Sequence, residues 1–252
     1  MSELSDDVDV LVIGGGMAGL TAAARAAHEG ARVLVVEVAA SLGGSALYAG
    51  YAWTAPSREV IEEVLPEGDP ELRHALVDRF PEGVEWIRSL GVHVGDAQPI
   101  LGFGSGHAFD TSQYVDLCQR QVLLRGEVLT STRTTALLRD STRVIGARLE
   151  LAGGGIREVR AHATVIATGG FQADASLRAA HVHPNASDLP LRSNPNSRGD
   201  GLRLAVSVGA AAGPEHAGFY GHLVPSGVPF ADSGDFVGLS LYYSEHALLF
   251  NL

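Results

Sequence analysis

Apolar residues arrive in blocks whose period changes along the chain. Residues 8–13 (Val-Asp-Val-Leu-Val-Ile) form a short β-branched run that stops at glycines, the pattern of a central parallel strand covered on both faces. Residues 17–29 are rich in alanine, leucine and arginine and stop at Gly30, which predicts a helix with a glycine terminator. Residues 32–37 (Arg-Val-Leu-Val-Val-Glu) repeat the buried-strand pattern. The unit is β-α-β within about 30 residues, and such crossovers are right-handed.

Residues 40–57 read as a glycine-rich loop carrying Tyr48, Tyr51 and Trp53. Leu72, Leu76, Phe80, Trp86 and Leu90 give helical spacing over 71–90, with Pro81 expected to split the segment in two. Residues 110–124 predict another helix. After that the alternation favours strands over 127–134, 143–151 and 156–160, the last two joined by the turn Gly153-Gly154-Gly155. Residues 163–167 (Ala-Thr-Val-Ile-Ala) are one more buried strand, and 199–209 open a helix through Leu202, Leu204, Ala205 and Val208. Beyond about 214 the pattern is irregular.

Composition narrows the function classes. The chain has 252 residues with 46% hydrophobic and 19% charged, enough for a packed core without disulfide or metal staples. Lys and Arg total 18 against 29 Asp and Glu, a net charge of −11, so a nucleic-acid partner is not expected. Cys118 is the single cysteine, which excludes an internal disulfide or a multi-cysteine metal site and reads as a buried small apolar residue. Residues 1–9 lack the profile of a secretory signal, and no run of about 18 apolar residues appears. The expectation is a cytoplasmic protein without a membrane span.

The chemistry begins where the first strand ends. Gly14, Gly16 and Gly19 fit G-x-G-x-x-G between a predicted strand and a predicted helix, the context in which that pattern carries meaning. Gly14 permits the tight turn, Gly16 has no Cβ to block a pyrophosphate, and Gly19 lets helix and strand pack closely. The helix end then offers N–H groups to phosphate. Glu37 ends the second strand, where a carboxylate accepts hydrogen bonds from a ribose and repels a 2′-phosphate, favouring FAD or NAD over NADP. A second glycine turn, Ser41-Leu42-Gly43-Gly44-Ser45, and the strand end Ala167-Thr168-Gly169-Gly170 both place small residues where backbone can run close to a ligand. Asp200, within Arg198-Gly199-Asp200-Gly201, either caps the last helix or reaches a ligand hydroxyl.

In order and spacing these motifs resemble the flavoprotein family of fumarate reductase and succinate dehydrogenase, with the soluble flavocytochrome and 3-ketosteroid dehydrogenase-like members nearest. The resemblance covers nearly the whole chain but only the N-terminal portion of such proteins. It implies an α/β fold: a Rossmann-like parallel sheet with helices on both faces and an inserted antiparallel β-meander at about 127–160. FAD would lie along the C-terminal edge of the sheet. The implied contacts are Gly14, Gly15, Gly16, Met17, Ala18 and Gly19; Glu37 and Val38; Gly43, Gly44, Ser45 and Ala46; Ala49 and Gly50 beside flavin N5; Thr134 at the adenine; Ala167, Thr168, Gly169 and Gly170; and Asp200. Membrane-complex relatives attach FAD through a histidine after the double glycine. Here the stretch is Ser45-Ala46-Leu47-Tyr48-Ala49-Gly50, so non-covalent FAD is implied.

By the same resemblance, residues 1–213 form the FAD-binding domain and 214–252 begin a substrate cap domain that is cut short. The family's catalytic arginine and its substrate clamps lie beyond a segment like 246–252, so no catalytic residue is assigned. The implied activity is hydride transfer between flavin N5 and a substrate carbon next to a carbonyl or carboxyl. The alternative is a non-catalytic FAD-binding fragment or half of a split flavoprotein, served by a separate C-terminal half or an electron-transfer partner. A plain NAD-binding Rossmann protein is a third reading. Other residues read blandly. His181 and His183 lack a supporting ligand pattern, so no metal is expected. His107 reads as an exposed loop histidine, and Glu62-Glu63 as a solvated helix face. Tyr48, Tyr51 and Trp53 either line the flavin pocket or pack beneath the cap, and Tyr242 and Tyr243 read as strand or cap-base residues.

Overall fold

The computed structural model describes residues 7–213 and Gly218. The expectations for 214–252, including Tyr242 and Tyr243, fall outside those residues apart from Gly218.

The first β-α-β unit forms as the apolar blocks predict: β1 (Asp7–Ile13), α1 (Met17–His28) and β2 (Val33–Val36). Strand β1 lies parallel to β2, with Leu11 beside Leu34. On its other side it is parallel to a long strand, β9 (Ile156–Ile166), with Leu11 beside Thr164. Strand β6 (Glu127–Leu129) extends the parallel set beyond β2. From β9 the sheet continues antiparallel through β8 (Val144–Glu150) and β7 (Arg133–Arg139). The full order is β6-β2-β1-β9-β8-β7.

Alternation along the strands sends side chains to two cores. Val12, Val33 and Val35 pack against Leu20, Ala23 and Ala24 of α1, and against Tyr114, Val115 and Cys118 of α4 (Thr111–Leu123). Val84 and Ile87 of α3 (Pro70–Ser89) close that layer. Leu11, Ile13, Leu34 and Val36 point the other way, onto Leu137, Leu149 and Val159 of the meander and Leu204 of α6 (Asp200–Ser207). Fully buried side chains of this kind each contribute about 1.5–3 kcal/mol. Among the described residues no helix is long and apolar enough to cross a membrane.

Five local expectations change. Pro81 does not divide its segment, since α3 runs unbroken through it. A mid-helix proline costs about 3 kcal/mol, and here the C-terminal half is anchored by buried Val84 and Ile87. Residues 156–160 and 163–167 are not two strands but one: the first half of β9 pairs with β8 and the second with β1, so the meander and the parallel sheet share a strand. Residues 127–134 instead divide, because β6 pairs in parallel with β2 while β7 turns antiparallel to β8. The loop at 40–57 contains a 3-10 turn (Gly44–Tyr48) and a strand, β3 (Tyr51–Thr54). This strand joins β5 (Gly104–Phe109) and β4 (Val94–Ile100) in a three-stranded antiparallel sheet. His107 is therefore a strand residue and half-buried, its Nδ1 2.8 Å from the Gly95 carbonyl and its ring stacked on Phe80.

Smaller roles follow. Cys118 is fully buried, and burial pushes its thiol up to about 11. His181 ends α5 (Ala175–His181) with its ring against Phe171. The His183 ring accepts from the Asn185 N–H to cap the 3-10 turn Pro184–Asp188. Glu62 pairs with His74 on the exposed surface of α2 (Arg58–Val64).

Candidate dinucleotide site

Four chain segments converge at the C-terminal edge of the parallel strands. The first is the glycine turn between β1 and α1. Gly14 donates its N–H to the Val36 carbonyl at 2.8 Å, which pins the turn across β2. A Cβ on Gly14 would sit 2.3 Å from the Ala167 oxygen, at a φ of 107° that L side chains rarely adopt. A Cβ on Gly19 would sit 1.9 Å from the Gly14 oxygen. Both positions are glycine for packing. Gly16 differs: the nearest atom to its Cβ would be the Gly43 oxygen at 3.8 Å, at φ −80°. The protein itself therefore leaves room for a side chain there. As the N-cap of α1, Gly16 gives no side-chain acceptor, and the first turn holds no acid. The leading N–H groups are thus available to an outside anion.

The second segment is Glu37 at the end of β2, 7% exposed. Its Oε2 accepts from the Gly15 N–H at 2.7 Å and its Oε1 from the Ala39 N–H at 2.8 Å. An ionised carboxylate has about four acceptor sites, so capacity remains toward the cleft that it lines. The third is the second glycine turn: Gly43 donates to the Gly15 carbonyl at 2.8 Å and pairs with Gly16 as a parallel bridge. The fourth is the end of β9, where Thr168 Oγ1 accepts from the Gly201 N–H at 3.0 Å and fixes the start of α6.

One cleft joins these segments. It is lined by Gly14, Gly16, Met17 and Ala18; Glu37 and Val38; Gly44, Ser45 and Ala46; Thr134; Ala167, Thr168 and Gly169; and Asp200. The remaining expected contacts lie outside the lining. Gly15 and Gly43 tie the two turns to each other and to Glu37, and Gly19 packs on Gly14. Gly170 accepts from the Gly199 N–H at 3.1 Å. The Ala49 and Gly50 carbonyls accept from Thr111 and the Phe109 N–H. Tyr48, Tyr51 and Trp53 are exposed outside the cleft. Asp200 is not the helix cap: Gly199, at φ 78°, holds that place, and Asp200 is the first helical residue, bonded to Arg133.

The cleft also takes residues that the sequence motifs pass over: Ile13, Val36, Thr132, Arg133, Asn194, Asn196, Ser197 and Leu204. The run Asn194-Pro195-Asn196-Ser197, which leads into Arg198-Gly199-Asp200, was the available signal, since polar turn residues beside a ligand turn can supply donors. Thr134 Oγ1 is buried with no protein partner, and Thr134 is one of the residues lining the cleft. Open space at Gly16, orphan N–H groups and a buried carboxylate together fit the diphosphate and ribose of an adenine dinucleotide.

The family model described as "FAD binding domain" matches residues 9–239. An NADH:fumarate oxidoreductase of Klebsiella pneumoniae (strain 342) is 28% identical over 228 residues, 80% of this chain and 24% of that protein. A fumarate reductase (cytochrome) of Shewanella frigidimarina is 29% identical over 236 residues, 82% of this chain and 40% of that protein. The solved structure of a flavocytochrome c3 fumarate reductase in its open conformation superposes with a TM-score of 0.73 at 23% identity, covering 83% of this chain and 42% of that one. The chain thus spans about a quarter to two fifths of the length of these relatives.

Proposed function

The chain belongs to the FAD binding domain family, and from that premise we propose that its cleft holds FAD non-covalently in the service of an oxidoreductase. Bound flavin would supply hydride chemistry at N5. The chain's own part is to bind and orient: the α1 N–H groups meet the diphosphate, the Glu37 carboxylate takes the ribose hydroxyls, and the Gly44–Ala46 backbone follows the chain toward the flavin. Ala49 and Gly50 stand further along the same turn, on the flavin side. No histidine or cysteine lines the cleft among the described residues, which supports a dissociable cofactor. The relatives named as fumarate reductases take an alkene flanked by carboxyls. That supports hydride transfer to or from a carbon beside a carbonyl or carboxyl of a small-molecule substrate.

We read residues 1–213 as the FAD-binding unit and 214–252 as the start of a substrate cap. One observation favours a second reading, in which this chain binds FAD without turning over substrate. Among the described residues the charged side chains lining the cleft are Glu37, Arg133 and Asp200, and each is already bonded within the protein. Steady turnover of a fumarate-like substrate by the 252-residue chain would remove that second reading.

The open space at Gly16 carries the FAD proposal. Purified protein with added FAD should show flavin bands near about 375 and 450 nm after desalting (approximate values for the cofactor's own chromophore). Gly16→Ala should still fold, since the new methyl group would meet only the Gly43 oxygen at an ordinary 3.8 Å and the change at the helix N-cap costs about 1 kcal/mol. It should bind FAD at least about tenfold more weakly, about 1.4 kcal/mol. Undiminished FAD uptake by Gly16→Ala would overturn the placement of the diphosphate.

A further inference from the structure

The cleft has one wall built from ions. Arg133 opens β7 beside Thr134, and its guanidinium donates to Asp200 Oδ2 at 2.5 Å, bridging the meander to the first turn of α6. Asp200 is held from the other side by Arg203, 3.8 Å away. Arg203 in turn donates to Asp174 at 2.5 Å and to the Arg198 carbonyl at 2.5 Å. Asp174 caps α5 by accepting from the Leu177 N–H at 2.9 Å. Charges thus alternate, plus-minus-plus-minus, from β7 to α5. Two members, Arg133 and Asp200, line the cleft with side chains 45% and 28% exposed.

The position of this wall follows from Glu37. The Thr132 N–H donates to the Glu37 carbonyl at 2.9 Å, so Thr132, Arg133 and Thr134 begin where the ribose carboxylate stands. A ribose on that carboxylate, with its diphosphate at Gly16, would have its base beside Thr132–Thr134, across the cleft from the Gly44–Ala46 turn. A guanidinium held there by a carboxylate offers a planar face that can stack on a purine and N–H groups that can donate to its ring nitrogens. Because Asp200 fixes the long arginine side chain beforehand, the ordering cost falls before the ligand arrives.

We propose that Arg133, held by Asp200, is a cofactor-positioning residue that forms the purine-side wall and reads the adenosine half of the ligand. This rests on the FAD reading of the cleft. The test is calorimetric binding of FAD and of ADP to the 252-residue wild type and to Arg133→Met, Arg133→Lys, Asp200→Asn and the double variant Arg133→Met/Asp200→Asn. Arg133→Met and Asp200→Asn should each weaken both ligands by the same factor, about fivefold, as befits a partly exposed ion pair. The double variant should be no worse than the poorer single one, and Arg133→Lys should recover most of the affinity. The melting temperature of the ligand-free protein should change by less than about 2 °C.

Full ADP affinity in Arg133→Met would overturn the proposal, as would losses that add in the double variant or losses for FAD but not ADP. Affinity losses that merely track a lowered ligand-free melting temperature would assign the pair to stability instead. A wild type that takes up neither ligand would sink the FAD reading and this proposal with it. Normal wild-type binding with unaffected variants sinks this proposal alone.

Discussion

A carboxylate with 7% of its surface exposed persists at position 37 because two backbone N–H groups, from Gly15 and Ala39, point at its two oxygens. Burying such a charge without those donors would cost several kcal/mol. Glu37 therefore does structural work whether or not a ligand is bound: it holds the β1–α1 glycine turn in shape from the neighbouring strand. Glu37→Ala leaves both N–H groups without their acceptor, and each buried unsatisfied donor costs about 1–3 kcal/mol. Urea unfolding should show a loss of about 2–4 kcal/mol, with FAD uptake abolished. Unchanged stability would mean that the turn is held by its glycines alone.

At the scale of elements, α5 and the segment after it depend on one side chain. Arg178 is 9% exposed and donates to the carbonyls of Ala186, Gln172, Ser187 and Leu189. These bonds fold residues 172–189 back on themselves and lead the chain to Asn194, Asn196 and Ser197 at the cleft. Arg178→Met keeps the length but leaves four carbonyls unserved. It should cost about 2–3 kcal/mol in urea unfolding, since breaking bonds from a charged donor costs about that much. It should also weaken ADP binding and open the 183–198 segment to proteolysis, with the glycine turn at α1 intact. Wild-type protease resistance in that variant would deny Arg178 this role. Helix α3 shows the converse: Pro81 lacks an N–H, yet the helix continues because Val84 and Ile87 are fastened in the core. Tertiary burial outweighs the local penalty there.

Across the whole molecule, acid should be the weak side. Asp9, Asp78, Asp140 and Asp174 all titrate below the ordinary carboxylate value. Bonds from the Arg32 N–H, the Arg58 guanidinium, the Thr142 N–H and the Leu177 N–H are their respective leading causes. A carboxyl that is more acidic folded than unfolded lends stability that is whole above its unfolded value and fades as pH falls through its folded one. The melting temperature should therefore hold from neutrality to about pH 4.5 and fall increasingly below about pH 4. Replacing Arg58, which pairs with Asp78, should flatten part of that fall. A melting temperature indifferent to acid down to pH 2 would show these bonds to be absent in solution.

The β-α-β opening, the family, and the close packing that requires glycine at positions 14 and 19 are legible in the amino-acid sequence alone. Those features are local: a periodic apolar block, a turn and a helix start lie within one short stretch, and their geometry follows from steric rules. The sequence could not show that β9 pairs in parallel with β1 on one side and antiparallel with β8 on the other, because partner choice depends on strands far apart in the chain. Nor could it bring Arg133 to Asp200, 67 positions later, or seat Asn194 and Asn196 at the cleft. Those contacts exist only after β7, β9 and α6 have packed on a common core, and no periodicity in the chain encodes the distance between side chains on different elements.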